Sequence, residues 1–478
     1  MQSRRTKIVA TVGPASETPD ELDALIEAGV DVFRLNLSHG SLASHIERLT
    51  SIRAAEKRAG RPIAVLADLP GPKVRAGQFP DGGVLLPTGS LVRLVPDVAI
   101  STADVIGVDY SALLADLRSG DRLVVGDGAI SMRVTEMTST AAIATVVTGG
   151  KVQGRPGIHL PTTNCPLDTP TPEDLVLAEA MAAAGADFIA VSFVRSGGDM
   201  RQVRDRVGVK GPRLVAKIET REAVDNLRDI VSNSDVIMVA RGDLGIDCEL
   251  ADVPHLQKRI IRTCVEVGTP VITATQMLES MITAPTPTRA EVSDVANAVF
   301  DGTDAVMLSG ETAIGVDPSL VVSTMAAICK RAESEASYRQ WATRLGREQR
   351  RYTSGRGERV TGAVTHAAWQ AAEDVGAQLI VCCTRSGNTA RAVARFRPIA
   401  KLAGVSPDSG TARSLCVSWG VTPLVIDVHS TVDDMVWFSV EAAVKAGLAL
   451  SGEIAVVLAG TPESPHSATD LLRVIEIS

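Results

Sequence analysis

Polar residues two positions apart occur at the ends of apolar segments in several parts of the 478-residue chain. FRLNLSHG contains Arg34, Asn36 and Ser38 at this spacing, and AKIET contains Lys217 and Glu219. Residues two apart on a strand face the same side, so each set would present its polar groups together. Isolated pairs of this kind are usually solvated cross-strand pairs. Here the neighbouring residues are apolar on both faces, as in a buried parallel strand, and charges in such strands indicate a functional site.

A carboxylate and two glycines follow the apolar run DVIMVA. The segment is RGDLG, from Arg241 to Gly245, and taken alone it is typical of a turn at the end of a strand. Glu219 and Asp243 could together hold Mg²⁺, which takes one or two carboxylates and completes its shell with water and substrate oxygens. Arg34 and Lys217 could neutralise a phosphoryl group and a developing enolate. The convergence of polar residues at predicted C-terminal strand ends favours one shared site, formed by Arg34, Asp68, Lys217, Glu219, Asp243, Thr275 and Ser309.

Eight β-type apolar runs, most of them followed by a helical pattern, must position these residues. Three precede residue 70, namely KIVATVG, VDVFRLNLS and PIAVLADL. Five more follow residue 161, namely DFIAVSFV, RLVAKIE, DVIMVARG, PVITATQ and DAVMLSG. Eight βα units in one domain predict a (β/α)₈ TIM barrel, whose active site lies at the C-terminal ends of the strands.

The rhythm of the sequence divides the chain into three domains. The barrel is predicted from residues 1–69 and 162–340, interrupted at 70–161 by short β-rich pieces with Gly and Pro turns that predict a small all-β lid. A polar segment then leads into residues 355–478, where apolar strands alternate with helices. That pattern predicts a C-terminal doubly wound α/β domain.

Composition excludes several classes of protein. The chain is 45% hydrophobic, 22% charged and only 3% aromatic, as expected of a globular α/β enzyme. A net charge of −8 argues against non-specific nucleic-acid or anionic-membrane partners, which bind through clustered Lys and Arg. The seven cysteines are odd in number and form no Cys-x-x-Cys, so we expect reduced thiols in the cytoplasm. No apolar run is long enough to span a membrane.

Motifs along nearly the whole chain resemble those of the pyruvate kinase family in order and spacing. They are ATVGPAS, FRLNLSHG, DLPGPKVR, AKIETREAVDNL, VARGDLGI, ATQMLESMI, PTRAEVSDVANAVFDGTDAVMLSGETAIG and TRSGNTARAVARFRP. The resemblance implies a phosphotransferase that moves the phosphoryl group of phosphoenolpyruvate to ADP, giving pyruvate and ATP in the last step of glycolysis. It also implies a homotetramer and control by a phosphorylated allosteric effector.

The resemblance implies a catalytic role for each matching residue. Arg34 would contact the transferring phosphoryl group, and Lys217 would stabilise charge in the transition state and on the enolate. Backbone N–H groups near Gly242 and Asp243 would receive the substrate carboxylate. Thr275 would take part in protonating the enolate through water.

The resemblance also implies how metal and nucleotide are held. Glu219 and Asp243 would ligate Mg²⁺ or Mn²⁺. Taken alone, His39 fits a histidine with a purely structural role as well as it fits a residue that contacts nucleotide. The residues on the nucleotide side would be Asn36, His39, Arg75 and Arg155.

The predicted lid departs from the family pattern at two places. Gly126-Asp127-Gly128 lies where the family usually has Asp-Asp-Gly, and PGIHLPT, which begins at Pro156, lies where it usually has Lys-Gly-Val/Ile-Asn-Leu-Pro-Gly. Pro156 thus replaces a lysine thought to meet nucleotide phosphates. Arg155 could substitute for it, although a planar guanidinium does not copy an ammonium. These differences bear on nucleotide affinity and turnover and leave the reaction class unchanged.

One lysine bears on the need for potassium. Asn36, Ser38, Asp68 and the carbonyl of Leu69 match the family's monovalent-cation site. Lys73, in DLPGPKVR, lies where potassium-dependent members usually carry Glu, whereas members with Lys tend to work without a monovalent cation. A fixed ammonium can supply the positive charge that K⁺ otherwise provides, so we predict that K⁺ is dispensable. The alternative is a solvated lysine on the hinge into the lid.

A strand–turn–helix pattern in the last domain, LIVCCTRSGNTARAV, predicts a phosphate site. Hydroxyls and backbone N–H groups at the start of a helix favour phosphate, although ordinary N-capping explains the same residues. Resemblance to the family's effector loop favours a bound sugar phosphate or AMP. The residues concerned are Thr384, Ser386, Gly387, Asn388 and Thr389.

Two other functions fit part of the sequence. An aldolase or lyase barrel acting on phosphoenolpyruvate or pyruvate would stabilise an enolate with metal and transfer no phosphate, but the β insert and Arg34 argue against it. A paralogue without catalysis would serve as an effector-binding subunit. The changes in the lid favour that reading, while the intact metal and lysine positions oppose it.

Overall fold

The N-terminal part of the chain forms three strands joined by two helices. The computed structural model describes residues 4–126, 130–160, 167–336, 345, 356–460 and 468–478. Thr18 caps the first helix in a capping box with Glu21, and Pro19 occupies the first turn, where it needs no hydrogen-bond partner for its nitrogen. The elements are β1 (Lys7–Thr11), α1 (Pro19–Ala28), β2 (Val32–Asn36), α2 (Leu42–Ala59) and β3 (Ala64–Asp68).

The β-rich insert forms its own sheets and its own hydrophobic core. A two-stranded sheet has the order β10-β4, and a six-stranded sheet has the order β11-β7-β8-β9-β5-β6. The buried residues of this core run from Val74 to Leu160. The elements are β4 (Phe79–Leu86), β5 (Leu91–Pro96), β6 (Val105–Val108), α3 (Leu113–Asp116), β7 (Arg122–Val125), β8 (Ile130–Met137), β9 (Ala142–Thr148), β10 (Gly150–Gly154) and β11 (Ile158–His159).

Five more strands complete a closed parallel barrel, as the sequence predicts. The strand order around the barrel is β1-β16-β15-β14-β13-β12-β3-β2. The strands are β12 (Phe188–Val191), β13 (Arg213–Ile218), β14 (Val236–Ala240), β15 (Val271–Ala274) and β16 (Ala305–Leu308). The helices are α4 (Pro172–Ala183), α5 (Gly197–Val207), α6 (Arg221–Asp225), α7 (Leu227–Ser232), α8 (Arg241–Asp247), α9 (Val253–Val267), α10 (Arg289–Asp301), α11 (Gly310–Ala313) and α12 (Pro318–Glu335), with 3₁₀ turns at Leu250–Asp252 and Glu279–Ile282.

The C-terminal domain is a five-stranded sheet in the order β19-β18-β17-β20-β21. Its first four strands are parallel, as predicted, and the last strand adds an antiparallel edge. The elements are α13 (Arg356–Val375), β17 (Leu379–Cys383), α14 (Asn388–Ala394), β18 (Lys401–Ser406), α15 (Ser409–Ser414), a 3₁₀ turn at Leu415–Val417, β19 (Val421–Val425), α16 (Val432–Lys445), β20 (Ile454–Ala459) and β21 (Leu471–Glu476).

The C-terminal domain closes the N-terminal end of the barrel. Cys416 and Val417 join the cluster of side chains that fills the barrel interior, which includes Val9 and Met307. The opposite, C-terminal end is therefore the end at which a site for substrate can open. Within the described residues, no helix is both long and apolar enough to cross a membrane.

Candidate active site

Three barrel strands, two of them adjacent and the third separated from these by β12, bring charged residues to the C-terminal rim. Arg34 lies on β2, Asp68 is the last residue of β3, and Lys217 is the penultimate residue of β13. The parallel register pairs Asn36 with Asp68, which sets the two strand ends level with each other. Apolar residues fill both faces of these strands, so the charged side chains point into a site with little access to water.

The ammonium of Lys217 is the centre of this charge network. Its Nζ donates a hydrogen bond to Ser192 Oγ at 2.7 Å, and it lies 2.9 Å from Glu219 Oε1 and 3.2 Å from Asp68 Oδ1. Asp68 also accepts a hydrogen bond from Arg34 Nε at 2.7 Å. Two cations and two carboxylates therefore share a buried network at the rim of the barrel.

Electrostatics keep the lysine of this network charged. Burial opposes the charge on Lys217, but the carboxylates of Asp68, Glu219 and Asp243 outweigh it and raise its pKa. Burial also opposes ionisation of Asp68, yet Lys217 and Arg34 hold its pKa below the usual value. The result is a fixed positive charge at the rim at neutral pH.

Glu219 is the carboxylate that the network leaves least satisfied. It is 1% exposed, and burial together with the nearby Asp243 raises its pKa although Lys217 opposes the shift. Its Oε2 accepts a hydrogen bond from the backbone N–H of Phe193 at 2.6 Å. Its Oε1 faces the Lys217 ammonium outside hydrogen-bond geometry and has no hydrogen-bond partner among the described residues.

The pair Glu219 and Asp243 fits a magnesium-type ion. A cation between the two carboxylates would offset both the burial and the charge of Asp243, which raise the pKa of Glu219, and would use its unsatisfied Oε1. Among the residues that the structure describes, no group of three or more His, Cys, Asp or Glu side chains could hold a metal. Two carboxylates suit Mg²⁺, which keeps several waters and substrate oxygens, better than an ion that needs a complete protein cage.

The segment from Arg241 is helical, which differs from the flexible turn that its glycines indicate. It forms α8 directly after β14, so Asp243 lies in the first helical turn. The Gly242 N–H donates to Thr275 Oγ1 at 2.8 Å, and that hydroxyl donates to the Ala274 carbonyl at 2.7 Å. The helix and the end of β15 are thereby joined at the rim.

Thr275 has a backbone conformation that β-branched residues rarely adopt. Its φ is +68°, and the following Gln276 has a φ of +52°. Arg241 holds this strained turn through hydrogen bonds to the carbonyls of Ala274 at 3.2 Å and Thr275 at 2.6 Å. Strain of this kind persists where surrounding contacts enforce it, and it is common at functional sites.

The residues predicted for a monovalent cation lie close together in the chain fold. Asn36 Oδ1 accepts the Ser38 N–H at 3.3 Å, and Asp68 is the neighbour of Asn36 across the two strands. The Leu69 carbonyl already accepts a hydrogen bond from Ser192 Oγ at 2.7 Å. That bond occupies one lone pair of an oxygen that the cation site would use.

The side chain of Lys73 is exposed to solvent, and the charges of the network still act on its ammonium. Partial desolvation lowers its pKa, as do the positive charges of Arg75 and Lys217, while Asp68 and Asp243 act in the opposite direction. The exposed surface means that the ammonium keeps contact with water. The charges that act on Lys73 belong to the network, and the residue also lies between β3 and the first strand of the lid.

The lid residues predicted to meet nucleotide are held mainly by the lid itself. Arg75 donates to the Arg155 carbonyl at 3.3 Å, and Arg155 pairs with Asp109 at 3.2 Å. The lid reaches the barrel rim through His159, whose Nδ1 lies 3.9 Å from Asp243 Oδ1. Gly126 has a φ of +69°, whereas Asp127, Gly128, Pro161 and Thr162 lie outside the described residues.

His39 is exposed just beyond β2. Its backbone carbonyl accepts a hydrogen bond from His45 Nε2 at 2.7 Å when that nitrogen carries the proton. His45 itself is buried, and burial lowers its pKa. The structure therefore anchors the loop that carries His39 through backbone and leaves part of the His39 ring accessible.

Sequence analysis missed four groups that hold the site. Thr11 Oγ1 accepts from Arg34 at 3.0 Å, and Ser192 links Lys217 to the Leu69 carbonyl. The Phe193 N–H binds Glu219, and buried Glu311 accepts the backbone N–H groups of Ser309 and Leu278. Thr11 and Ser192 were detectable, because each is a hydroxyl residue at the C-terminal end of a predicted strand.

The predicted effector loop is compact and internally bonded. Thr384 Oγ1 accepts the Gly387 N–H at 2.9 Å, and Ser386 Oγ accepts the Asn388 N–H at 3.4 Å. Thr389 shares a hydrogen bond of 2.6 Å with Thr469. The residue that precedes α14, Gly387, provides no side-chain cap, and of these hydroxyls only that of Ser386 bonds an N–H of the helix.

Sequence comparison identifies the family. The family model described as "Pyruvate kinase, barrel domain" matches residues 3–322, and the one described as "Pyruvate kinase, alpha/beta domain" matches residues 362–475. A pyruvate kinase of Methylorubrum extorquens is 41% identical over 99% of this chain and 97% of its own length. A pyruvate kinase of Geobacillus stearothermophilus is 39% identical over 99% of this chain and 81% of its own length. A pyruvate kinase of Corynebacterium glutamicum is 39% identical over 98% of this chain and 97% of its own length. Because the barrel model alone matches more than half of the sequence and these relatives align along nearly all of it, the chain belongs to the pyruvate kinase family.

Proposed function

We propose that the chain transfers the phosphoryl group of phosphoenolpyruvate to ADP at the C-terminal rim of its barrel, as the last step of glycolysis. The observation that carries the proposal is the charged Lys217 held between Asp68 and Glu219, with Arg34 beside them. A phosphotransferase needs fixed positive charge where phosphoryl oxygens gather negative charge. Two cations built into a buried rim meet that need without reorganisation during the reaction.

Lys217 and Arg34 are proposed to bind and orient the substrate. Arg34 has its Nε committed to Asp68 and one terminal nitrogen to Thr11, which fixes the plane of the guanidinium. Lys217 would stabilise the enolate oxygen left when the phosphorus–oxygen bond breaks. Its raised pKa means that it acts as a charge and does not release its proton at neutral pH.

Thr275 and α8 are proposed to bind the substrate carboxylate and deliver a proton. A carboxylate that accepts the Gly242 N–H would displace Thr275 Oγ1 from that bond. The hydroxyl would then be available to order the water that protonates the enolate. Arg241, which fixes the Thr275 backbone, is a positioning residue in this arrangement.

Glu219 and Asp243 are proposed to hold the divalent cation, Mg²⁺ or Mn²⁺. When bound, the ion would supply positive charge to phosphoryl and carboxylate oxygens of the substrate. Glu219→Gln and Asp243→Asn should each raise the metal concentration for half-maximal activity, roughly ten-fold or more. Glu222→Gln, an exposed change on α6, is the matched control. Metal titrations identical to wild type in both site variants would refute the ligand assignment.

A coupled assay of pyruvate release tests the reaction itself. With phosphoenolpyruvate, divalent metal and ADP, pyruvate should form at a rate proportional to enzyme, and without ADP the rate should fall to background. Release of pyruvate that does not require ADP would indicate a lyase or phosphatase. No release under either condition would indicate a paralogue without catalysis.

The remaining assignments are proposals drawn from the family. We propose nucleotide contacts from Asn36, His39, Arg75 and Arg155, and a sugar phosphate or AMP at Thr384, Ser386, Gly387, Asn388 and Thr389. Activation below saturating substrate by one of these compounds would support the effector site. An enzyme that no phosphorylated metabolite activates would refute it.

We also propose the domain limits, assembly and location. Separate hydrophobic clusters support a lid at 70–161 and a C-terminal domain at 355–478, around a barrel of 1–69 and 162–340. Exposed Trp437 and Phe438 on α16 support a homotetramer, which sedimentation would test. Six cysteines are buried and unpaired, which supports a reducing cytoplasm; Cys165 lies outside the described residues.

A further inference from the structure

A cavity lies between the base of the barrel and the C-terminal domain, far from the catalytic rim. The barrel contributes Gly268, Thr269 and Asp304, and the C-terminal domain contributes three arginines and Ser418. The space between these walls is about 230 Å³, part of it open to solvent. The lining is unusual because its charged side chains are mostly of one sign.

The three arginines are Arg391, Arg395 and Arg397, and among the described residues only one of them has a carboxylate partner. Arg397 pairs with Asp304 at 2.9 Å. Arg391 donates to the Ser386 carbonyl at 2.9 Å and to Asn388 Oδ1 at 2.6 Å.

Arg395 donates to the Glu266 carbonyl at 3.4 Å and stacks on the ring of Phe396 at 4.8 Å. The nearby Asp235 is bound by Arg204 and Arg213. Among the described residues, no carboxylate forms an ion pair with Arg391 or Arg395.

Three polar atoms of the lining are buried without a hydrogen-bond partner. They are the Nε atoms of Arg395 and Arg397 and the hydroxyl of Ser418, within the part of the chain that the structure describes. These residues are 9%, 4% and 1% exposed. A buried donor without an acceptor is costly, and such groups normally have a partner or a ligand. The unsatisfied donors on one cavity wall thus point to an acceptor that occupies it.

Electrostatics favour a negatively charged acceptor. Burial lowers the pKa of both Arg391 and Arg395 to about 10. For Arg391 the charge of Arg213 lowers the pKa further, and Asp235 offsets only part of the loss. An anion in the cavity would reverse that effect and satisfy the free N–H groups. Guanidinium groups match the oxygens of phosphate especially well, through paired hydrogen bonds.

We propose that this cavity binds a phosphate group, either inorganic phosphate or a phosphate monoester, and that the bound group bridges the barrel and the C-terminal domain. Arg391 and Arg395 would neutralise it, and Ser418 would donate its hydroxyl. Arg391 is only partly buried, so the ligand would reach it from the side of the cavity that is open to solvent. The site is separate from the predicted effector loop, whose Thr384, Ser386 and Thr389 do not line the cavity.

Thermal unfolding of the full-length protein tests the proposal. A ligand that binds the folded state raises the melting temperature by mass action, and the concentration dependence gives an apparent Kd. Inorganic phosphate and glycerol 3-phosphate are titrated separately in Tris-chloride, with sodium chloride at equal ionic strength as the reference. Either phosphate should raise the melting temperature, and the one with the lower Kd identifies the source.

The variants assign the binding to this cavity. Arg391→Met should raise the apparent Kd roughly ten-fold or more, since a charge-assisted hydrogen bond is lost. Arg395→Met should have the same effect. If the loss of stacking on Phe396 prevents Arg395→Met from folding, the result for Arg391→Met decides the test. Exposed Arg259→Met on α9 is the charge-matched control and should retain the wild-type Kd. Ser386→Ala separates the two sites, because it should weaken binding at the effector loop and leave the Kd of the cavity unchanged.

Three results would overturn the proposal. One is the absence of any shift with either phosphate beyond the chloride reference. Another is a wild-type Kd in Arg391→Met, which would place the binding elsewhere, for example at the catalytic rim. The third is a loss of binding in Ser386→Ala with retention in Arg391→Met, which would assign the phosphate to the effector loop.

Discussion

At the scale of single residues, Lys217 is a buried ammonium held by three polar side chains. It is held by Ser192, Asp68 and Glu219 within 3.2 Å, so its ammonium cannot move away as charge develops on a substrate. A charge fixed before the reaction is worth more than one that must reorient, because no reorganisation energy is spent. The residue should therefore act on turnover rather than on substrate affinity.

Lys217→Met should lower kcat by roughly a hundred-fold or more and change KM little, because charge needed in the transition state is lost while the apolar chain remains. Steady-state kinetics with saturating metal provide the measurement. Lys210→Met, at an exposed position, should behave as wild type. A variant with near-normal kcat and a raised KM would show that Lys217 serves only ground-state binding.

Lys73 should make the enzyme independent of potassium. Its ammonium lies in the field of Lys217, Asp68 and Asp243, and the Leu69 carbonyl of the predicted cation site is already bonded to Ser192. Activity in tetramethylammonium buffer should equal that in KCl at the same ionic strength, and Lys73→Glu should create a potassium requirement. Lys151→Glu, an exposed change in the lid, is the matched control. A several-fold fall in wild-type kcat without K⁺ would show that the cation site works and that Lys73 does not replace it.

At the scale of elements, the sequence predicted strands better than it predicted the contacts at their ends. All eight barrel strands were found, because buried parallel strands are continuous apolar runs between helical segments. The two glycines in the segment at Arg241 predict a turn. In the structure the segment is helical, and both the Gly242 N–H and the Arg241 side chain bond residues at the end of β15, tertiary contacts that local pattern does not encode.

The same limit applies to the strained turn at Thr275. A threonine with positive φ contradicts its own propensity, so no local rule predicts it. The cavity arginines were likewise invisible as a set, since Arg395 and Arg397 are unremarkable in a helical pattern. The arginines line a cavity together with Asp304 and Gly268, which are distant in sequence and are brought close by the packing of the two domains.

The start of β2 is held to β1 by one buried carboxylate. Asp31 accepts the Ile8 N–H at 2.9 Å and pairs with Arg4 at 2.9 Å and Lys7 at 3.7 Å. Burial opposes its ionisation, but these cations outweigh burial and lower its pKa. A lowered pKa in the folded state means that the stabilisation is complete above the unfolded carboxyl pKa of about 4 and is lost as the pH falls through the folded value.

Asp31→Asn should lower the free energy of unfolding at pH 7 by about 3 kcal/mol, since it leaves buried cations without their partner. The difference from wild type should stay constant above about pH 5 and shrink in more acidic solution. Urea unfolding across pH measures both effects. Asp23→Asn, which breaks the exposed pair with Arg58, should change little at any pH. A difference that grows in acid would contradict the assigned direction of the pKa shift.

At the scale of the whole molecule, the catalytic rim and the C-terminal domain lie at opposite ends of one barrel. The domain inserts Cys416 and Val417 into the barrel base, and charged residues around that base bind it. Lys7 donates to the Val421 carbonyl at 2.8 Å, and Asp187 accepts from Arg413 at 2.7 Å. A change in how the domain docks can therefore reach the strands that carry Arg34 and Lys217 without touching the substrate.

Arg5 is the clearest test of that docking. Its guanidinium donates to three successive carbonyls, those of Pro398 at 2.5 Å, Ile399, and Ala400 at 3.1 Å, while its own carbonyl accepts the Gly420 N–H. Arg5→Met should lower the stability of the docked C-terminal domain by about 3 kcal/mol, because bonds from a charged donor are lost and the carbonyls stay buried. Calorimetry should then show the C-terminal domain of the variant unfolding before the barrel, whereas in wild type the two domains unfold together.

The catalytic rate of Arg5→Met should change little. At saturating substrate kcat should stay within about two-fold, since Arg5 lies at the end of the barrel opposite the catalytic rim. Arg58→Met, at an exposed barrel position, should leave the transition unchanged. A single transition at the wild-type temperature in Arg5→Met would mean that the apolar plug of Cys416 and Val417 holds the domain without this cluster.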